Sequence, residues 1–235
     1  MPSKKIKPSK SSIKRSNSVS KSLTSHVAFI PLVFLVLVVW VIYRSLFRFP
    51  IWFDETIGKA IFFGLPVWLY ISLTRSKSMV DTFSLRKLFP GLFLGLAIGG
   101  IYGFSAVLAT MIHAHVSVVQ APLFMSDEFW WQMFLALMTG FWETLFFYCW
   151  VMVIVTEKYV KWSLVNQLLM VTAIFLIFHL PNTLLRFTGV TVISQLVLLF
   201  FFGLGQALLF ARYKNLYALA LSQAIWGMVL VIYTR

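Results

Sequence analysis

Between Glu128 and Glu157 lie 28 residues, and Glu143, in FWETLFFYCW and halfway along the run, is the only charged one among them. A carboxylate at the middle of a membrane-length apolar run costs about 2.5 kcal/mol or more on insertion scales. Such residues face a bundle interior, find a partner and mark functional sites. His179, in FLIFHLPN, is the next polar residue of interest. A carboxylate and an imidazole held together inside a membrane can activate a water. In apolar surroundings the carboxylate serves as a base only where something stabilises its ionised form. Gln223, in the run GLGQALLFARYKNLYALALSQAIWG, adds an amide able to donate a hydrogen bond. The plain alternative is a protonated Glu143 bonding one helix to another.

Metal chemistry fits these residues less well. Catalytic zinc generally takes three protein ligands and a water, and Glu143 with His179 makes two. No metal and no cofactor are expected. His113 and His115, at i and i+2, read as surface histidines, and His26 as an interfacial one. The single cysteine, Cys149, excludes an intramolecular disulfide or a multi-cysteine metal site within one chain.

The elements that must position these groups are membrane spans. The chain has 235 residues, 60% hydrophobic and 11% charged, with a mean hydropathy of +0.88, whereas soluble domains carry about 25% charged residues. The fold class is therefore all-α, a polytopic transmembrane helix bundle. Seven uncharged runs reach spanning length, at roughly 24–43, 57–74, 88–111, 129–156, 163–183, 188–211 and 215–234. The second is weakest, with Lys59 inside its start and Asp54 and Glu55 before it. Gly91, Gly95, Gly99 and Gly103 make a smooth stripe on the third, suited to close helix packing. Pro181 is expected to end regular helix soon after His179.

The net charge of +13 resides in a tail and in short loops, which favours anionic lipid over nucleic acid as a partner. Residues 1–24 hold seven Lys/Arg and no acid, and are expected to be a disordered, topogenic cytoplasmic tail. With alternating spans, 15 of the 20 Lys/Arg lie on the tail's side and five (Arg44, Arg48, Lys59, Arg186, Arg235) on the other. That bias puts the N-terminus in the cytoplasm and the C-terminus outside. The first span lacks a small-residue cleavage site and is expected to be retained.

One tension concerns depth. At about 1.5 Å per residue, Glu143 lies about 21 Å from Glu157, His179 about 27 Å from Lys161, and Gln223 about 14 Å from Lys214. The three converge only if the fifth helix starts later than Lys161, tilts, or is re-entrant.

The blocks FWETLFFYC, FLIFH and 203–227 together resemble the membrane-embedded CAAX-protease and bacteriocin-processing (CPBP or Abi) family, over residues 125–233. That family's pattern is Glu-Glu-x-x-x-Arg, then Phe-x-x-x-His, then His-x-x-x-Asn on a helix following a short basic turn such as Arg212 to Leu216. Glu143 matches the first Glu, and Phe175 and His179 match the second block. The second Glu position is Thr144, the Arg position Tyr148, the third-block His position Gln223 and its Asn position Gly227. The resemblance implies an intramembrane endopeptidase with Glu143 as base on water and His179 as its partner, acting on membrane-associated peptides or proteins. It divides the chain into the tail 1–24, spans 25–124 and a protease-like core 125–235.

The departures change the site more than the fold. Losing both ends of a buried ion pair, as at Thr144 and Tyr148, can be neutral for stability. Missing oxyanion donors are costly for rate, at about 10² to 10³ each. Two other functions therefore stand beside the peptidase: a non-catalytic family member acting in binding, immunity or scaffolding, and a transporter. The transporter rests only on several spans and a buried Glu, with none of the repeated halves common in that class. The expected location is the cell membrane, with several passes.

Overall fold

The computed structural model describes residues 27–114 and 127–233, except the side chains of 106, 109, 110, 112–114 and 230–233. The tail 1–24, His26, His115 and the side chain of His113 lie outside that description. Every described element is helical. Seven long helices correspond to the seven runs: α1 Phe29–Leu46, α2 Ile51–Thr74, α3 Leu88–Ala114, α4 Phe129–Lys158, α5 Leu164–Arg186, α6 Val190–Tyr213 and α7 Leu216–Tyr233. Six of these regions are long and apolar enough to cross a membrane, and Leu216–Val229 is a shorter apolar stretch. The chain is an integral, multi-pass membrane protein.

The central helix is α4. From Thr144 to Met152 it takes π geometry, and all nine residues of that stretch are buried. A helix apolar on every side must sit in the middle of a bundle. Rings pack around it: Phe146 lies 5.0 Å from Phe63 and 5.1 Å from Phe178, and Phe147 lies 5.1 Å from Phe175, between centroids. Lipid is as apolar as these side chains, so cohesion comes from packing and interhelical hydrogen bonds rather than from the hydrophobic effect.

The glycine stripe of α3 is the seam with α7. A Cβ at Gly95 would lie 2.7 Å from the Ala218 carbonyl oxygen, and one at Gly99 would lie 2.5 Å from Ile225 Cδ1. At its head, Asn215 accepts from the Tyr217 and Ala218 amides and donates to the Lys87 carbonyl at 2.9 Å. Asn215 and Leu216 are buried, so the start of α7 is recessed into the bundle. Gln223 therefore reaches the central region within two turns, and α5, starting at Leu164, begins later than Lys161. The later start of α5 removes about 4.5 Å of the expected mismatch in depth, three residues at about 1.5 Å each.

Two boundaries differ from expectation. α2 starts at Ile51, six residues before residue 57, which puts Lys59 two turns inside the helix. Pro50 precedes the first turn, while Asp54 and Glu55 lie near the N-terminal end, where the helix dipole favours negative charge. α5 runs through Pro181 to Arg186 rather than ending there. Nearby carbonyls find side-chain donors: Trp40 Nε1 donates to the Phe178 carbonyl at 3.1 Å, and Thr183 Oγ1 to that of His179 at 3.0 Å. The carbonyl that Pro181 leaves without its amide donor is that of Ile177, one turn earlier, so α5 continues past the proline at the loss of one backbone hydrogen bond.

Candidate active site

Glu143 is 5% exposed and is met from three other helices. From α7, Gln223 Nε2 donates to its Oε2. From α5, His179 Nε2 stands 3.5 Å from the same oxygen. From α2, Lys59 Nζ donates to Oε1 at 2.6 Å. Glu143, His179 and Gln223 are thus brought together, although they lie on three helices far apart in the chain.

The orientation of His179 is set locally. Its Nδ1 is 2.8 Å from the Phe175 carbonyl oxygen, and a carbonyl only accepts, so Nδ1 carries a proton and Nε2 is the nitrogen facing Glu143. The Phe175 ring underlies the imidazole with centroids 4.0 Å apart. That ring is itself seated against Gly203, where a Cβ would come within 2.9 Å of Phe175 Cδ1. Phe175, one turn before His179, is a platform for it.

The remaining motif positions divide. Thr144 is fully buried and its hydroxyl donates to Gln223 Oε1 at 3.3 Å. Tyr148 is fully buried and donates to the Gly203 carbonyl at 3.3 Å. Each of these two hydroxyls therefore bonds to another helix rather than to the other. Gly227 lies one turn beyond Gln223, and a Cβ there would meet nothing within 4 Å.

The sequence reading missed Lys59 and Glu55. Lys59 Nζ also lies 2.5 Å from Glu55 Oε2, and Thr139 Oγ1 on α4 donates to that same oxygen at 2.5 Å. The side chain of Lys59 is 6% exposed. Beside it, Arg44 Nη1 reaches Asp54 Oδ2 at 2.5 Å and Tyr43 donates to Asp54 Oδ1, closing the corner between α1 and α2. The available signal was an acid and a lysine four residues apart, the spacing of a helical ion pair, within an apolar segment. Among the described residues, no group of three or more His, Cys, Asp or Glu could hold a metal ion.

The arrangement is that of a membrane-embedded helical bundle with a buried carboxylate, Glu143, beside a partly exposed imidazole, His179. Residues 125–229 match the family model described as type II CAAX prenyl endopeptidase Rce1-like, so this segment is similar to the CAAX-protease family. No curated protein and no solved structure matches the chain.

Proposed function

We propose that the protein is an intramembrane endopeptidase of the CAAX type acting on membrane-associated peptides or proteins in the cell membrane. The observation that carries this reading is Glu143 Oε2 beside His179 Nε2 at 3.5 Å, with the other imidazole nitrogen occupied. Two atoms that close can both reach one water at ordinary hydrogen-bond lengths of about 2.8 Å. Glu143 takes a proton from that water as its oxygen bonds to the scissile carbonyl carbon. The proton passes to the leaving nitrogen as the carbon–nitrogen bond breaks, and Glu143 returns to its starting state. His179 orients the water, and residues 125–235 form the core that does this.

The test is cleavage of a panel of prenylated and leader-bearing peptides by the purified full-length protein in detergent. Wild type is expected to cut and Glu143→Gln not to, because an amide keeps the shape but takes no proton. Cleavage undiminished by Glu143→Gln would refute the mechanism.

One observation favours a second reading. Lys59 holds Oε1 and Gln223 holds Oε2, an engagement that suits a fixed structural carboxylate in a non-catalytic family member that binds a membrane partner. Silence from the wild type on the whole panel, with the protein folded, supports that reading.

A further inference from the structure

The family match begins at residue 125, yet the ammonium on Glu143 comes from outside it. We propose that Lys59 is the positioning residue that holds Glu143 in its ionised form, so that the site is built from both halves of the chain. An ammonium within a spanning helix is costly and normally extends toward the interface. Lys59 instead points inward, 2.6 Å from Glu143 Oε1 and 2.5 Å from Glu55 Oε2. Glu55 is anchored by Thr139, so the ammonium is held between two fixed carboxylates. Lys59 also sits between two π-helical segments, Asp54–Gly58 and Ala60–Gly64, and such segments often mark functional sites.

The groups facing Glu143 define the alternatives. α2 presents Lys59 with Glu55 behind it, α5 presents His179, and α7 presents the neutral Gln223. On α4 itself Thr144 and Tyr148 are neutral hydroxyls, each turned to another helix. Lys59 is the permanent cation at hydrogen-bond distance. It supplies from α2 the positive charge that Tyr148, at the arginine position of the resemblance, does not.

This inference does not depend on peptide cleavage, and its test reads ionisation directly. Infrared spectra of the full-length protein in lipid nanodiscs are compared with and without Glu143→Gln at neutral pH. In the wild-type background the difference is expected to show a carboxylate band. In the Lys59→Met background it is expected to show a protonated carboxyl band, and in Lys59→Arg a carboxylate again. A carboxylate band surviving Lys59→Met, or a protonated Glu143 in the wild type, overturns the proposal. Should Lys59→Met be too unstable for spectroscopy, its melting temperature is compared with that of Lys59→Met combined with Glu143→Gln. The double variant is expected to recover melting temperature, because no carboxylate at position 143 then has to take up a proton on folding. No recovery overturns the proposal.

Discussion

Thr144 Oγ1 donates to Gln223 Oε1 across 3.3 Å, and this contact turns the amide so that its Nε2 faces Glu143. A hydroxyl on α4 therefore orients a donor on α7 toward a carboxylate one residue away from that hydroxyl. Thr144→Val keeps the shape and removes the donor. Leaving the buried Gln223 oxygen without its partner is expected to cost about 1–3 kcal/mol. It also frees the amide to flip and present its oxygen to Glu143. Chemical denaturation in mixed micelles measures the first effect. A drop in turnover smaller than that of Glu143→Gln, on any peptide the protein cuts, measures the second.

The three-way contact at Lys59 sets an order of stabilities. Glu143→Gln leaves Lys59 with Glu55, whereas Lys59→Met strands two carboxylates at once. Breaking a buried pair from one side costs about 3–5 kcal/mol. Lys59→Met is expected to reach that range, and Glu143→Gln to fall clearly below it. Equal melting-temperature losses in detergent would contradict the shared-cation geometry.

The seam of α3 and α7 gives a test with a built-in control. Gly95→Ala places a Cβ 2.7 Å from the Ala218 carbonyl oxygen and 2.9 Å from Leu221 Cβ. The helices must separate, at a cost of about 1–3 kcal/mol. Gly100, on the same helix, has nothing within 4 Å of its Cβ position. Gly100→Ala is expected to be neutral or stabilising by up to about 1 kcal/mol from helix propensity. Thermal unfolding of the two variants side by side reads the difference.

The spans, the α3 packing stripe and the centrality of α4 were legible because each is written as an unbroken apolar run or a four-residue period. Glu143 stood out because it is alone in its run. Lys59 was hidden by its neighbours: with Asp54 and Glu55 beside it, the segment read as a polar approach to a helix. Pairing across 84 residues leaves no trace in local composition. The π geometry of α2 and α4 was equally invisible, since it changes the register of side chains without changing their hydrophobicity. Pro181 misled because a helix can run on past a proline at the loss of one backbone hydrogen bond, as α5 does to Arg186.

Topology follows from the same correction. Lys59 is buried and paired, so it leaves the count of loop charges, and the bias becomes 15 against four. The basic segments fall together as that orientation requires: Lys87 Nζ donates to the Lys214 carbonyl at 2.9 Å. If all seven helices span, the two ends of the chain are expected on opposite faces of the membrane. Labelling of single cysteines added after Met1 and after Arg235, in a Cys149→Ala background, is expected to show the first protected and the second accessible from outside. Both accessible from one side would remove one span from the count.

The last prediction separates a weakened enzyme from a repurposed fold, and the structure makes its two halves unequal. Gln223→His with Gly227→Asn restores the third block of the resemblance on α7. Gly227 has open space at its Cβ and is one turn from Gln223, so both new side chains share one helical face. The change also costs little helix propensity, because Asn is no worse than Gly within a helix. If the protein is a peptidase lacking oxyanion donors, this double variant is expected to gain turnover, since one such donor is worth about 10² to 10³ in rate. Thr144→Glu with Tyr148→Arg is different. Both positions are fully buried, and Lys59 already places a cation on Glu143. That pair is expected to add no rate and to lower stability, through two more charges in a site already holding three. Combined with Lys59→Met, however, the arginine has a vacancy to fill, and some of the stability lost with Lys59 is expected to return. Cleavage of the prenylated and leader-peptide panel by each variant, with melting temperatures measured in parallel, decides the matter. Gain from α7 and none from α4 identifies a peptidase whose cation has moved to α2. No cleavage by wild type or by the α7 variant, with both folded, identifies a binding protein built on the same bundle.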